Sequence, residues 1–286
     1  MCGIFGIITK QEKAFKATQL KRDWITLNAL SSSRGKDSSG GVFYNGVENQ
    51  ITVVKGDVPV SSLMKEDRWK QALDKALASD RFLAMGHTRL VTNGSQLDNA
   101  NNQPVIKDGG VLVHNGIIVN HEELWGKHNL SRQFEIDSEV ILALIQSKLD
   151  LGMEAAVRGC NESLQGTYSY ACLLPSKGAV ILSSNNGSLY CYEDQEVIAF
   201  ASERSFLIEL QLVADHSKIQ HITGGDQRIL EFEDMVSPSL QIEVCEVVGD
   251  GNPLKVLDSS AFMNSQYANE RKLLEFNWAE ISALKR

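Results

Sequence analysis

The chain has 286 residues and a formal net charge of −8, with 43% hydrophobic and 22% charged residues, which is typical of a soluble globular protein. The acidic balance argues against a nucleic-acid-binding face, and no segment has the roughly 20 apolar residues of a membrane helix. Because no basic stretch and apolar signal core open the sequence, we expect a cytoplasmic protein with no membrane or nucleic-acid partner.

The cysteines give no sign of a metal site. They are five in number and widely spaced, whereas a zinc site would need close pairs. We expect reduced thiols, and no metal or organic cofactor is indicated. Four of them are expected to be small packing residues: Cys160, Cys172, Cys191 and Cys245.

The second residue, Cys2, is the first candidate for chemistry. Removal of Met1, which is usual before a small residue, would leave a free α-amine beside the thiol. A thiol titrates near pH ~8.5 and an α-amine near ~7.7–8.0, so the amine can accept the thiol proton. A small buried cysteine is an equally ordinary reading of this position. The apolar run from Ile4 to Ile8 predicts a buried strand, and Gly3 and Gly6 within it mark a close approach of other groups.

The first third of the chain predicts helices and short strands. A helix is expected over 14–30, followed by a polar Ser/Gly stretch at 34–41 that is typical of a flexible loop. Apolar runs at 42–44 and 51–54 flank Asn-Gly and predict a hairpin. A helix over 61–78 and a short buried strand over 82–85 follow.

The rest of the chain is richer in strands. A strand over 110–113 precedes an amphipathic helix over 137–151 and a shorter helix over 153–164. Further strands are predicted at 168–174, 179–183, 189–192, 197–201, 228–232 and 241–247, with helices at 205–212 and from about 260. Grouped helices and many short strands indicate an α+β layered fold.

Three further segments could serve an attack by Cys2 on a carbonyl carbon. Asn115 and Gly116 follow a strand and could donate to an oxyanion, although Asn-Gly is also a common turn. Arg89 could bind an α-carboxylate, or form a surface charge pair. Asp137 could bind an α-ammonium, or cap the helix that follows.

The order of these segments resembles a known family. The chain is similar to the glutaminase domain of the class II glutamine amidotransferases, whose nucleophile is N-terminal, and most to that of glutamine–fructose-6-phosphate aminotransferase. The resemblance covers residues 2 to about 235. The motifs are Cys2-Gly3-Ile4, Arg34-Gly35-Lys36-Asp37-Ser38-Ser39-Gly40, His87-Thr88-Arg89 with Thr92 and Gly94, His114-Asn115-Gly116-Ile117-Ile118, and Asp137-Ser138-Glu139-Val140.

The resemblance implies a four-layer αββα sandwich and the hydrolysis of glutamine to glutamate and ammonia. It makes Cys2 the nucleophile, with its α-amine as the base. It also places the 34–41 segment near the site. The remaining roles that it implies are the oxyanion hole for Asn115 and Gly116, the α-carboxylate for Arg89, the α-amine for Asp137, and the substrate pocket for Thr92 and Asn93.

The sequence departs from the family pattern at several positions. Leu90 replaces a Trp, Asn93 replaces a His, and Val119 replaces a Glu. The family's His-Pro-His appears as Gln103-Pro104-Val105. None of these changes removes a group that the chemistry requires.

We expect a glutaminase domain over 1–240 and a C-terminal strand and helix over 241–286 that pack on the domain or on a partner. On the helix, Tyr267, Leu274, Trp278 and Ile281 form one stripe. The ammonia acceptor is expected on a separate synthetase or transferase, or the chain forms a homo-oligomer. Two alternatives stay open at this point: an N-terminal-cysteine amidohydrolase for another amide, and a non-catalytic scaffold or regulatory subunit.

Overall fold

The computed structural model describes residues 2–90, 99–232, 235–237 and 239–247, and the backbone of 255–257. Sheet A has nine strands. In spatial order they are β11 (Gln220–His221), β9 (Tyr190–Glu193), β10 (Val197–Ala201), β1 (Gly3–Thr9), β4 (Leu83–Arg89), β2 (Ser38–Asn45), β3 (Gln50–Gly56), β13 (Gln241–Val247) and β14 (Lys255–Leu257). Sheet B has five: β12 (Asp226–Glu231), β8 (Ala179–Ser184), β7 (Gly166–Leu174), β6 (Gly110–Ile118) and β5 (Val105–Lys107).

Helices cover the outer face of each sheet. Sheet A is covered by α1 (Ala17–Ser31), α2 (Val60–Leu63), α3 (Asp67–Ala78) and α7 (Arg204–Ile208), and sheet B by α4 (His121–Lys127), α5 (Glu139–Gln146) and α6 (Met153–Ser163). Short 3₁₀ turns occupy Asn99–Asn101, Leu149–Leu151, Pro175–Lys177 and His216–Lys218. No helix in the described ranges is both long and apolar enough to cross a bilayer.

Three apolar layers show that the arrangement is the αββα sandwich expected from the sequence. Successive residues of a strand face opposite sides, so β1 contributes to two of these layers. Phe5 and Ile7 pack against the helices on sheet A. Ile4 and Ile8 pack against sheet B in the layer between the sheets. A third layer, which includes Tyr170, lies between sheet B and its helices.

The first strand occupies the centre of sheet A. β1 pairs antiparallel with β10 on one side and with β4 on the other. Gly6 allows a close approach there, because a β-carbon on it would lie 2.4 Å from the Phe200 ring. The predicted buried strand is therefore confirmed, and it brings the preceding residue, Cys2, to one end of the layer between the sheets.

The structure corrects two expectations in the first third of the chain. The 34–41 stretch is not a flexible loop throughout, because Ser38 to Gly41 form the start of β2 and are buried. The predicted helix over 61–78 is two helices, α2 and α3. An unbroken helix would turn through about 2.5 turns between Val60 and Trp69 and place them on opposite faces. The break lets both side chains be buried.

The remaining elements differ from expectation mainly in length. The predicted helix over 137–151 ends at Gln146, and a 3₁₀ turn follows at 149–151. The predicted helix over 205–212 is the five-residue α7. The strand predicted over 241–247 is confirmed as β13, which pairs parallel with β3. The predicted C-terminal helix lies outside the described residues.

Removal of the Trp24 side chain should destabilise the layer behind β1. Trp24 is fully buried, with ring centroids 5.3 Å from Phe5, 5.7 Å from Phe43 and 6.3 Å from Trp69. We expect Trp24→Ala to lower the free energy of unfolding in urea by about 3–5 kcal/mol. The neighbouring Ile25 is 42% exposed, and Ile25→Ala should change it by about 0.5 kcal/mol or less. Equal losses would contradict this packing.

Candidate active site

Contacts from both sheets hold Cys2 in place. It directly precedes β1 and is 8% exposed. Its backbone nitrogen donates to Asn115 Oδ1 at 3.1 Å, and its Sγ donates to the carbonyl oxygen of Leu90 at 3.5 Å. Asn115 belongs to β6 in sheet B, while Leu90 directly follows β4 in sheet A. If Met1 is removed, the nitrogen that binds Asn115 becomes the α-amine.

The side chain of Asn115 points from sheet B toward Cys2. Val111 and Val113 on the same strand lie in the layer between the sheets, so the alternation of β6 directs Asn115 to that side. Its Oδ1 accepts the Cys2 N–H, and its Nδ2 is buried without a hydrogen-bond partner among the described residues. A buried donor without a partner costs about 1–3 kcal/mol, which a bound oxyanion would offset.

The residue after Asn115 must be glycine. Asn115 and Gly116 both lie within β6, so the interpretation of Asn-Gly as a turn is wrong. Gly116 has φ +155°, and a β-carbon there would lie 2.0 Å from the carbonyl oxygen of Thr167 on β7. No other residue fits without separating the two strands.

The segment before β2 packs against the site, as the family resemblance implies. Arg34 Nε donates to the carbonyl oxygen of Cys2 at 2.8 Å. Its Nη1 forms an ion pair with Glu203, and its side chain is 8% exposed. The backbone nitrogen of Asp37 donates to the carbonyl oxygen of Arg89 at 3.0 Å. The positive charge of Arg34 is thereby fixed next to Cys2.

Arg89 ends β4 and faces the layer between the sheets, because Met85 on the same strand does so. It is 2% exposed, and its Nη1 donates to Asn102 Oδ1 at 2.9 Å. Burial lowers the pKa of Arg89, while Cys2 and Asp137 act in the opposite direction. Arginine nevertheless stays charged in proteins, so the site contains a buried cation.

Two buried histidines connect the sheets. The Nε2 of His87 on β4 lies 3.1 Å from the carbonyl oxygen of His114 on β6, which also accepts from Gln103 Nε2 at 2.9 Å. The Nδ1 of His114 lies 2.8 Å from Ser138 Oγ. Burial lowers the pKa of His87 to about 3, with a further contribution from the charge of Arg89. Burial also lowers the pKa of His114. Both rings are therefore neutral at pH 7. The His87 ring joins the two sheets, while the His114 ring contacts Ser138, the residue before α5.

Asp137 does not cap the helix that follows it. The carboxylate Oδ2 accepts from the backbone nitrogen of Ile118 at 2.7 Å, and Oδ1 lies 3.5 Å from Ser138 Oγ. The helix α5 has no side-chain cap. Asp137 is 3% exposed, and its charge is turned toward β6. A buried carboxylate in this position is suited to a cation.

A second buried carboxylate fixes the turn that contains Asp137. Glu139 is fully buried and accepts from the backbone nitrogens of Gln133 and Phe134, each at 2.8 Å. Its Oε1 also lies 3.1 Å from Lys107 Nζ. These contacts fix the chain before Asp137, at Gln133 and Phe134, and after it, at Glu139. The backbone thereby sets the direction of the Asp137 side chain.

The described part of the site contains five of the seven predicted residues. Cys2 contacts Asn115, Gly116 is the next residue on β6, and the charges of Arg89 and Asp137 interact with each other. The other two predicted residues, Thr92 and Asn93, lie outside the described residues. The sequence analysis missed the residues that hold the site: Asn102, Gln103 and Ser138. Gln103 and Ser138 stand within the quoted motifs, but no role followed from the sequence for any of the three, because their partners are distant in the chain.

A methyl group at position 116 should disrupt the pairing of β6 with β7. We expect Gly116→Ala to lower the free energy of unfolding by at least about 2 kcal/mol, since the added carbon meets a backbone oxygen. Gly126 lies within α4, and a β-carbon added there would have no heavy atom within 4 Å, so it provides the control. Gly126→Ala should leave stability unchanged or raise it by up to about 1 kcal/mol. Equal effects in urea denaturation would contradict this geometry.

Comparison with known proteins gives a family and several relatives. The profile of the glutamine amidotransferase domain matches residues 87–209. The glutamine–fructose-6-phosphate aminotransferase of Caulobacter vibrioides is 31% identical over 197 residues, which are 66% of this chain and 29% of that protein. The 7-cyano-7-deazaguanine synthase of Saccharolobus solfataricus is 28% identical over 206 residues, 69% of this chain and 41% of that protein. The chain thus spans less than half the length of these relatives.

Solved structures support the fold. The glutamine phosphoribosylpyrophosphate amidotransferase from B. subtilis matches with a TM-score of 0.59 and 20% identity, covering 85% of this chain and 51% of that one. At this identity the match shows the shared sandwich. The matched profile includes Arg89, Asn115, Gly116 and Asp137, and Cys2 stands against Asn115. The chain therefore contains a class II glutamine amidotransferase domain.

Proposed function

We propose that the chain hydrolyses glutamine to glutamate and ammonia through a thioester on Cys2, and that the ammonia passes to an acceptor on a separate chain. The observation that supports this most directly is the contact between the Cys2 nitrogen and Asn115 Oδ1. It puts the nucleophile beside Asn115 Nδ2, a buried donor with no partner in the described part of the chain. A developing oxyanion is the group that such a donor would stabilise.

The two ends of the amino-acid part of glutamine have matching charges in the site. The guanidinium of Arg89 would bind the α-carboxylate, and the carboxylate of Asp137 would bind the α-ammonium. Both side chains are almost fully buried, so each charge gains from a partner of opposite sign. Thr92 and Asn93 follow Arg89 in the chain, and we propose them as further pocket residues. A simple amide that lacks both charged groups could make neither of these two contacts.

The base in this proposal is the α-amine of Cys2. The two buried histidines are poor candidates, because the pKa of His87 is about 3 and that of His114 is also lowered. Both rings already contact groups that hold the sheets together. An α-amine with an ordinary pKa of ~7.7–8.0 can accept the thiol proton near neutral pH.

The steps follow from these positions. The Cys2 sulfur attacks the side-chain carbonyl carbon of glutamine while its proton moves to the α-amine. Asn115 Nδ2 and the backbone N–H of Gly116 would donate to the resulting oxyanion. The intermediate collapses when the carbon–nitrogen bond breaks and the α-ammonium returns the proton to the leaving ammonia. Water then hydrolyses the thioester to give glutamate and free Cys2.

The acceptor is the part of the proposal that depends on the relatives. Their names describe aminotransferase, amidotransferase and synthase enzymes, and the chain spans only 29% of the Caulobacter protein and 41% of the Saccharolobus protein. We propose a cytoplasmic synthetase or transferase partner that takes up the ammonia, with the glutamine site supplied by this chain.

When Met1 is retained, so that the Cys2 nitrogen stays in a peptide bond, the Cys2 thiol should ionise only at high pH. Burial raises its pKa above the ordinary 9.0, while the charges of Arg89 and Arg34 favour the thiolate. With an N-terminal tag that keeps the peptide bond to Met1, we expect alkylation by iodoacetamide to rise through a midpoint above pH 9. Arg34→Met should move the midpoint higher, because a stabilising cation is lost. Arg204→Met, on the exposed side of α7, should not move it. A midpoint at or below pH 9 would contradict the burial.

The proposed function can be tested with 6-diazo-5-oxo-L-norleucine, a glutamine-like electrophile. Intact-mass spectra of the purified protein should show loss of Met1 and a single adduct. Cys2→Ala should show no adduct and should lose glutamate formation from glutamine by at least about a thousandfold. Cys160→Ala removes another buried thiol, on the far face of sheet B. This variant should keep both the adduct and glutamate formation.

Two outcomes would oppose the proposal. A processed chain that forms neither adduct nor glutamate would exclude glutamine as the substrate of the isolated chain, and a panel of other amides would then be examined. Retention of Met1 without an adduct would favour the scaffold alternative, because the blocked nitrogen could not act as the base.

A further inference from the structure

A neutral amide holds the guanidinium of Arg89. Its Nη1 donates to Asn102 Oδ1 at 2.9 Å, and Asn102 is completely buried. We propose that Asn102 is a positioning residue, which directs the fork of Arg89 toward the α-carboxylate of glutamine. This inference rests on the proposed function, because it concerns the cation that would bind that carboxylate.

The neutrality of Asn102 is the first argument. A carboxylate at position 102 would also accept from Nη1, but it would form an ion pair with Arg89 and compete with the substrate for its charge. An amide oxygen aligns one edge of the guanidinium and adds no negative charge to those of Asp137 and Asp37, which already act on Arg89. Because burial already weakens the charged form of Arg89, an aligned neutral acceptor is the arrangement that favours a carboxylate ligand.

The direction of the Asn102 amide is the second argument. Its Nδ2 donates to Asn99 Oδ1 at 3.0 Å, so the oxygen is the atom that remains for Arg89. A flip of the amide would place N–H against N–H at Arg89 and oxygen against oxygen at Asn99. The backbone of Asn102 is fixed as well, since its carbonyl oxygen accepts from the buried Lys55 Nζ at 2.9 Å. The acceptor therefore has one orientation.

The support of Asn102 continues to the end of β13. Asn99 Nδ2 lies 3.4 Å from the carbonyl oxygen of Val247, the last residue of that strand. The strand pairs in register with β3, which contains Lys55. Asn102 is thus supported by β3 through Lys55 and by β13 through Asn99. Through Asn99 and Asn102, β13 therefore supports the guanidinium of Arg89 that the α-carboxylate would meet.

The test uses two substrates that differ only at the α-carboxylate: glutamine and L-glutaminamide, in which a carboxamide replaces it. Ammonia release is measured for each. We expect Asn102→Leu, which removes the acceptor at similar volume, to raise the KM for glutamine about tenfold or more and to change kcat less than about threefold. For L-glutaminamide, KM should change less than about twofold.

The charged variant gives the sharper result. We expect Asn102→Asp to raise the KM for glutamine by about fiftyfold or more, because the new carboxylate repels the substrate carboxylate and pairs with Arg89. The same change should leave L-glutaminamide unaffected or favour it. The preference for glutamine should therefore fall further than with Asn102→Leu. A purely structural role would affect the two substrates equally.

The control is an amide-to-carboxylate change away from the site. Asn161 Oδ1 accepts from Tyr170 Oη at 2.9 Å on the outer face of sheet B. Asn161→Asp should keep the KM for glutamine and the preference between the two substrates. Thermal unfolding of every variant shows whether the variants at position 102 fold. If those at position 102 do not, Asn99→Ala removes the support of the amide and should raise the KM for glutamine about threefold or more.

The outcomes separate the two proposals. If the wild-type protein hydrolyses glutamine but folded Asn102→Leu and Asn102→Asp keep its KM and its preference over L-glutaminamide, the positioning role is overturned. If the folded and processed wild-type protein releases no ammonia from glutamine, the proposed function itself is overturned. A selective loss for glutamine in the variants supports both.

Discussion

The hydrogen bond between the Cys2 nitrogen and Asn115 is the contact on which the site depends, because it joins the start of β1 in sheet A to β6 in sheet B. The first strand lies between β10 and β4, and the apolar layers on both of its faces fix it. A chain start usually frays, yet here it is held as firmly as a core residue. The sandwich itself thus positions Cys2, the proposed nucleophile.

The site combines two buried charged side chains with two buried histidines that are neutral. Arg89 and Asp137 are nearly inaccessible, and in the proposed complex they would pair with the opposite charges at the amino-acid end of glutamine. The His87 ring on β4 contacts the carbonyl oxygen of His114 on β6, and burial keeps the rings of both histidines neutral at pH 7. The charges of the site therefore belong to the groups that would bind glutamine, while the neutral groups keep the sheets at a fixed separation.

The sequence predicted the central strand and the layered class because local patterns encode them, above all the continuous apolar run of β1. Cys2 stays a predicted nucleophile. The sequence also predicted Arg89 and Asp137 as charged residues at the ends of elements. It did not predict that Asp137 binds Ile118 rather than the helix start, or that Asn102 holds Arg89. Such contacts depend on strand register and on loops that meet only in the folded chain, which no local pattern encodes. For the same reason, the break between α2 and α3 was missed.

The strand order of sheet A also sets a sequence of events during synthesis. β1 pairs with Leu83–Arg89 and with Val197–Ala201, so it cannot be enclosed until about 200 residues have left the ribosome. At about 5–20 residues per second, the chain start stays accessible for about 10–40 s. An aminopeptidase would reach the chain start most readily in that interval, because Cys2 is only 8% exposed in the folded chain. Maturation of the nucleophile would then compete in time with the closing of the sheet.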